Sequence, residues 1–289
     1  MLFRSSDLLE RTGSRYAPAS PCEGISDVTG SFTLVGKPCD VAGGRKLEDH
    51  GLLPHNAKMG LSIAIFCAGA PSTRATLDYL GGQWGDGPER LTELRYRGRG
   101  WPGKFVARDD AGNSHEATYA ESWGVIQAGR PWRCRVCPDH TGEFADVSVG
   151  DPWHTAPEPG AVGRSLVVAR TSRGVEAVEQ AMAAGFLELE RVDHRLLPAS
   201  QDELRKTRSA VFGRILAMKI VGVPTPSFRG LSLFRTWLFS SPRNVMRSVL
   251  GTLRRVGRYG LRQPVPVVEL GRERGQWGRA VGDSVGGGR

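Results

Sequence analysis

The densest piece of potential chemistry in the chain is Cys134-Arg135-Val136-Cys137, followed at once by Pro138 and Asp139. Thiols at that spacing sit on one tight turn, where both can grip a single metal ion or an iron–sulfur cluster. Three more cysteines lie upstream: Cys22, Cys39 and Cys67. Cys39 follows the apolar run 32–36, and Cys67 closes the strongest apolar run, 61–67. Both runs read as strands, which puts two thiols at strand ends, a common place for ligands in α/β proteins. Cys39, Cys67, Cys134 and Cys137 thus form a candidate four-thiolate set. Spacing alone leaves three identities open: a cluster site, an all-thiolate zinc site, or small buried hydrophobes. Cys22 lies in a Pro/Ser-rich link and is expected to be a bystander.

A second constellation is basic. Arg95, Arg97, Arg99 and Lys104 surround Gly98, Gly100 and Gly103. Glycine lets backbone approach an anion, and guanidinium groups bind phosphate bidentately. The competing possibility is a solvated charged loop. Trp101 and Trp153 offer flat faces to a ring system, with core packing as the alternative. Asp151 is presented where the strand-like run 144–149 ends. Asp139 and Asp146 are candidates to ligate, orient or cap a turn, and Asp40 is expected to cap the helix that follows it. His140 and His154 flank the site and are expected to be solvated. No Ser/His/Asp hydrolase pattern, Walker loop or H-E-x-x-H is present.

The elements that must position these residues follow from periodicity and turn chemistry. Strands are expected at 32–36, 61–67, 91–97, 144–149 and 165–170, with a hairpin of 105–109 and 116–119 around Asp110-Ala111-Gly112-Asn113. Helices are expected at 6–11, 41–53, 71–81, 174–185 and 201–222. Past Pro224 and Pro226, two basic amphipathic helices are expected at 230–240 and 243–260. The fold class is α/β: a mixed sheet with flanking helices, the site at the strand ends, and a basic helical C-terminal extension.

Charge is unevenly placed. The chain has 289 residues and a net charge of +9, yet residues 205–289 hold 17 Lys+Arg against 3 Asp+Glu. The basicity therefore belongs to the C-terminal third, which implies an anionic partner for that part. No nucleic-acid module is recognisable, so no nucleic acid is expected. No apolar run reaches the length of a transmembrane helix. An odd cysteine count without an export signal fits a reducing, cytoplasmic compartment.

Several short elements together resemble one family. They are Gly13-Ser14-Arg15-Tyr16, Val35-Gly36-Lys37-Pro38-Cys39-Asp40, Phe66-Cys67-Ala68-Gly69, Tyr96-Arg97-Gly98-Arg99-Gly100-Trp101-Pro102-Gly103, Cys134 to Asp139, and Ala145 to Trp153. In this order, over roughly residues 11–240, the chain resembles the beta subunit of coenzyme F(420)-reducing hydrogenase and its relatives. These include F(420)-linked dehydrogenase subunits and a plant chlorophyll-derivative reductase. The resemblance implies an F(420)-dependent oxidoreductase subunit. In it, flavin (FAD) and a 4Fe-4S cluster pass electrons between a reduced deazaflavin, coenzyme F(420), and a redox partner protein or subunit.

It also implies residues. Cys39, Cys67, Cys134 and Cys137 would hold the cluster, and Arg95, Arg97, Gly98, Gly100, Trp101, Lys104, Asp151 and Trp153 the organic cofactor. Residues 1–200 would be the iron–sulfur flavoprotein domain; composition, not the resemblance, makes 201–263 a basic helical extension and 264–289 a disordered tail. The extension is expected to dock on the partner or on an anionic membrane surface, apart from the redox site. Members usually carry an upstream region with a further cysteine group and a Ser-Gly-Gly loop. This chain begins after it, so that part is expected from a longer chain or from a partner. The alternative is a non-enzymatic iron–sulfur or zinc docking subunit; a basic adaptor with structural cysteines is the third.

Overall fold

The structure is a computed structural model and describes residues 16–81, 90–98, 100–156 and 163–263. The expected helix at 6–11, Arg99 and the tail 264–289 lie outside the described residues. The first sheet has the order β1-β2-β6-β7: β1 (Gly30–Gly36), β2 (Ala57–Ile65), β6 (Val147–Gly150) and β7 (Leu166–Ala169). The first three run parallel, and β7 is antiparallel to β6. This is the mixed sheet expected. Strand β1 was expected to be buried, but it is an edge strand, and of its side chains only Leu34 is buried. An edge strand needs only one apolar contact row.

Residues 91–118 do not join that sheet. They make an antiparallel sheet of their own from β3 (Leu91–Arg95), β4 (Lys104–Asp109) and β5 (Ser114–Thr118). The expected hairpin is present, and Asp109 shapes its turn. Its carboxylate accepts the Ala111 and Asn113 amides at 3.0 and 2.8 Å. Phe105 is wholly buried and centres a cluster with Leu80, Tyr96, Ala107 and Ile126. Such a side chain contributes about 1.5–3 kcal/mol by leaving water.

Helices α1 (Pro38–Asp49), α2 (Thr73–Gly81), α3 (Tyr119–Ile126), the single turn α4 (Trp132–Arg135) and α5 (Ser172–Ala183) connect the strands. A C-terminal group follows: α6 (Leu196–Ser200), α7 (Asp202–Ser209), α8 (Val211–Ile220), α9 (Leu233–Leu238) and α10 (Pro242–Arg258). The single helix expected over 201–222 is broken at Ala210 into α7 and α8. Gly213 then lets α10 come close, since a Cβ there would meet Ser248 Oγ at 2.0 Å.

The extension does not stand apart from the cysteine turn. Val136, between the two cysteines, is buried against Met218 of α8, Val223 and Val256 of α10, with Trp132 alongside. Trp132 Nε1 donates to Met218 Sδ at 3.3 Å. An amphipathic helix needs somewhere to bury its apolar stripe, and this turn is that place.

Candidate functional site

Three chain segments bring the four cysteines to one edge of the first sheet. β1 stops at Gly36, and Pro38 at the helix start pre-sets the backbone for α1. Asp40 closes the cap: its carboxylate accepts the Lys37 amide at 2.9 Å. Cys39 is thereby fixed on the first turn and is exposed. Cys67 lies two residues beyond β2, and its sulfur accepts the Gly69 amide at 3.3 Å. Gly69 has φ +121°, and a Cβ there would meet Arg130 Cδ at 2.4 Å, so only glycine fits. Cys134 is on α4, and the Cys137 thiol donates to the Asp139 carbonyl at 3.1 Å.

Asp139 and His140 hold this turn. The Asp139 carboxylate accepts the amides of Thr141, Gly142 and Glu143 at 3.1, 2.8 and 2.9 Å, which makes it a turn cap. His140 and Cys67 are clamped twice. The Cys67 amide donates to the His140 carbonyl at 3.0 Å, and His140 Nδ1 lies 2.8 Å from the Cys67 carbonyl. A carbonyl only accepts, so Nδ1 carries the proton and Nε2 presents a lone pair. Nε2 is buried without a partner among the described residues. His140 is thus buried, not solvated as expected.

Burial pushes the Cys67 thiol up to about 11 and the Cys137 thiol up to about 12, and raises Cys39 as well. The thiols also act on one another: Cys134 on Cys39, Cys39 and Cys134 on Cys67, Cys39 and Cys67 on Cys137. Lys37 and Arg133 pull Cys39 the other way. The four are therefore neighbours. Yet among the described residues no three His, Cys, Asp or Glu side chains are placed to hold a single metal ion. Four thiolates are a donor set that an iron–sulfur cluster accepts and that an all-thiolate zinc site accepts as well. Cys22 stands outside the set; its thiol donates to the Asp40 carbonyl at 3.3 Å, and no other cysteine figures among the charges that move it.

The basic loop is arranged differently from the open phosphate cradle that its composition suggests. Arg97 makes a bidentate pair with Asp151 at 2.7 and 2.9 Å. Trp101 Nε1 donates to the same carboxylate at 3.0 Å. Arg95 pairs with Glu93 at 3.1 Å and donates to the Gly98 carbonyl, while Lys104 pairs with Glu116 at 3.1 Å. Gly98 and Gly103 form a bridge so close that a Cβ on Gly103 would meet Gly98 N at 2.4 Å. Gly100 is at the tip with φ +110°. Trp153 is 5.2 Å from Trp101 and stacked on Tyr119 at 5.3 Å, and the Arg97 guanidinium lies over both Tyr119 and Trp153. Burial alone would lower the Arg97 pKa; the Asp151 contact outweighs it and raises it.

Four residues matter more than their sequence context signalled. Asp146 is a buried hydrogen-bonding hub. Its carboxylate takes Arg45 at 2.8 Å, the Ser62 hydroxyl and amide at 2.9 Å each, and Thr171 at 2.7 Å. Arg130 crosses the site and donates to the Ala68 carbonyl at 2.6 Å. Arg214 of α8 donates to the Arg135 carbonyl. His140 completes the list. The one signal for Arg214 was the absence of any Asp or Glu from Arg205 to Gln263, beside 13 Lys and Arg; Arg130 had none.

Comparison with known proteins places the chain in a family. The family model for the C terminus of the coenzyme F(420) hydrogenase/dehydrogenase beta subunit matches residues 30–195. Coenzyme F(420) hydrogenase subunit beta of Methanothermobacter thermautotrophicus is 28% identical over 195 residues, 65% of this chain and 63% of that protein. The subunit of the same name from Methanococcus voltae is 23% identical over 195 residues, 65% of this chain and 64% of that one. A chain of the F(420)-reducing nickel–iron hydrogenase complex from Methanosarcina barkeri shares the fold at TM-score 0.52 and 19% identity, covering 73% of this chain and 72% of its own. The chain thus spans 63–64% of the length of these curated relatives.

Proposed function

The chain belongs to the coenzyme F(420) hydrogenase/dehydrogenase beta-subunit family, and on that premise we propose that it is the electron-transfer part of an oxidoreductase, with Cys39, Cys67, Cys134 and Cys137 holding a 4Fe-4S cluster. The observation that carries the proposal is the meeting of four free thiols from three segments at one edge of the first sheet. Burial keeps Cys67 and Cys137 protonated in the bare protein, so loading releases their protons. Lys37, Arg130 and Arg133 then offset the negative charge of the four thiolates.

FAD is assigned to the edge at Trp101 and Trp153, where Arg95, Gly98, Gly100 and Lys104 line the loop. Arg97 and Asp151 are there a positioning pair. Each satisfies the other, so their task is to hold the two tryptophans and the loop in register, not to clamp phosphate. Bound flavin and cluster would together supply the exchange between two-electron chemistry at coenzyme F(420) and one-electron transfer to an iron–sulfur partner. The partner is a further subunit, docked on the exposed face of α10 that carries Arg243, Met246, Arg247, Leu250 and Arg254.

The test is iron and acid-labile sulfide content after anaerobic reconstitution of the full chain. Parent protein and Cys22→Ser should hold both in equal amounts. Cys134→Ser and Cys137→Ser should lose them. Full iron in both of the latter variants would remove the basis of the proposal.

A further inference from the structure

Aromatic rings run from the basic loop through the second sheet's core in one continuous series. Measured between centroids, Trp101 lies 5.2 Å from Trp153, and Trp153 stacks on Tyr119 at 5.3 Å. Tyr119 stacks in turn on Trp123 at 6.3 Å. Trp123 meets Tyr16 at 5.1 Å, and Tyr16 meets Tyr96 at 5.0 Å. Phe105 then bridges Tyr96 and Tyr79 at 5.3 and 5.2 Å. The series ends where Tyr79 of α2 lies against His115 of β5, at 5.9 Å.

Burial of apolar surface does not call for these ring types, since Leu, Ile or Phe would serve it as well. From Trp101 to Tyr96 every ring is Trp or Tyr, the two aromatic side chains that give up an electron most readily. The other aromatic cluster, Phe212, Phe234 and Trp237, is mostly Phe. Each end of the series also carries a base. Trp101 Nε1 donates to the Asp151 carboxylate at 3.0 Å. The Tyr79 hydroxyl lies 3.4 Å from His115 Nε2, and donates to it in the tautomer with the ring proton on Nδ1. An indole or phenol that loses an electron becomes a much stronger acid, so a hydrogen-bonded base makes the loss easier.

We propose that these rings form a relay that carries a one-electron oxidation from Trp101 to Tyr79. A strong one-electron oxidant at the loop edge, of the peroxyl-radical class, takes one electron from Trp101 and is reduced. Each ring then gives one electron to the ring before it and takes one from the ring behind it, with Phe105 as the spacer of the last step. Tyr79 supplies the final electron, and its phenolic proton moves to His115 Nε2. The balance is one reduced oxidant, one tyrosyl radical and one imidazolium. A small thiol in solution returns a hydrogen atom to Tyr79, and His115 releases its proton to water. The relay thus clears a damaging oxidation from the loop edge to a half-buried ring that solvent reaches. It goes beyond the redox proposal and does not depend on it, because the rings and both bases belong to the chain whether or not a cofactor is bound.

The experiment is pulse radiolysis of the full chain in azide solution, where azidyl radicals oxidise tryptophan before tyrosine, followed by peptide mass mapping. In the parent, tryptophanyl absorption should convert into tyrosyl absorption at a rate independent of protein concentration, and oxidised tyrosine should be found at Tyr79. Trp123→Phe keeps a ring in place that does not give up an electron. It should remove most of the oxidation from Tyr79 and leave it on Trp101 and Trp153. His115→Gln should slow the conversion. Tyr259→Phe, outside the series, should change nothing. Circular dichroism checks the folding of each variant, and Tyr16→Phe serves if Trp123→Phe does not fold. No conversion in the parent overturns the proposal. So does a conversion rate proportional to protein concentration, which would mean that radicals pass between molecules. Equal oxidation of Tyr79 in the parent and in Trp123→Phe would mean direct attack from solvent, and overturns it too.

Discussion

Two basic regions of similar composition end in opposite electrostatic states. In the loop 95–104 each described cation meets a carboxylate: Arg95 with Glu93, Arg97 with Asp151, Lys104 with Glu116. Around the cysteine turn, Arg130, Arg135 and Arg214 meet, among the described residues, only carbonyls and an amide. The lesson is that a count of Lys and Arg measures formal charge. Available charge depends on what the fold folds back onto it. The loop comes from a part of the chain rich in acids, and the arginine group borders one that has none.

The largest expected effect lies where pairing is deepest, at Arg45–Asp146. Breaking a buried pair costs about 3–5 kcal/mol, so Asp146→Asn should lower stability to chemical denaturation by that order. Burial alone would raise the Asp146 carboxyl, but Thr171, Ser62 and Arg45 hold it below its ordinary value of 3.8. A depressed folded value means stability that is present above the unfolded value and lost as pH falls through the folded one. The gap between parent and variant should therefore close toward acid. A gap that stays constant from neutral pH to below 3.8 would show that Asp146 acts through shape alone.

Next is the fastening of the arginine helices to the cysteine turn. Met218→Ala opens a cavity against Val136 and should cost about 2–5 kcal/mol, with iron retention falling alongside. An unmoved unfolding midpoint would detach the second region from the site.

The smallest effects separate the two regions by sign. Arg97→Ala leaves the part-buried Asp151 without its bidentate partner and should cost about 1.5–3 kcal/mol. Lys104→Ala, at an exposed pair, should cost only about 0.2–1 kcal/mol. Arg214→Gln relieves repulsion and should be neutral or stabilising at low salt, in thermal melts without added anion. Equal losses for Arg97→Ala and Arg214→Gln would erase the contrast between the regions.

Local signals in the sequence translated well into structure. Asp40 marked the beginning of α1, although the helix starts three residues before the expected 41, at Pro38, with Asp40 closing the cap from the third helical position; apolar runs specified β1 and β2, and the Asp110 to Asn113 turn specified the β4–β5 hairpin. Long-range pairing was not legible. Arg97 and Asp151 are 54 positions apart, and no local pattern links a loop arginine to an aspartate at a strand end. The separation of β3, β4 and β5 into their own sheet is likewise a matter of which edges meet, which alternation does not encode. His140 looked solvated because its neighbours are turn residues; its burial comes from the backbone clamp to Cys67, 73 positions away. The docking role expected for the C-terminal helices missed that the apolar side of α10 is already used against α8 and Val136.

The central claim is that the four thiols hold one cluster. The most direct measurement is the visible absorption and electron paramagnetic resonance of the anaerobically purified chain, before and after dithionite. A broad band in the blue that bleaches on reduction, with a paramagnetic signal that appears as it bleaches and is absent from Cys137→Ser, is the predicted result. A colourless protein that contains zinc, or a spectrum unchanged in Cys137→Ser, would contradict the account.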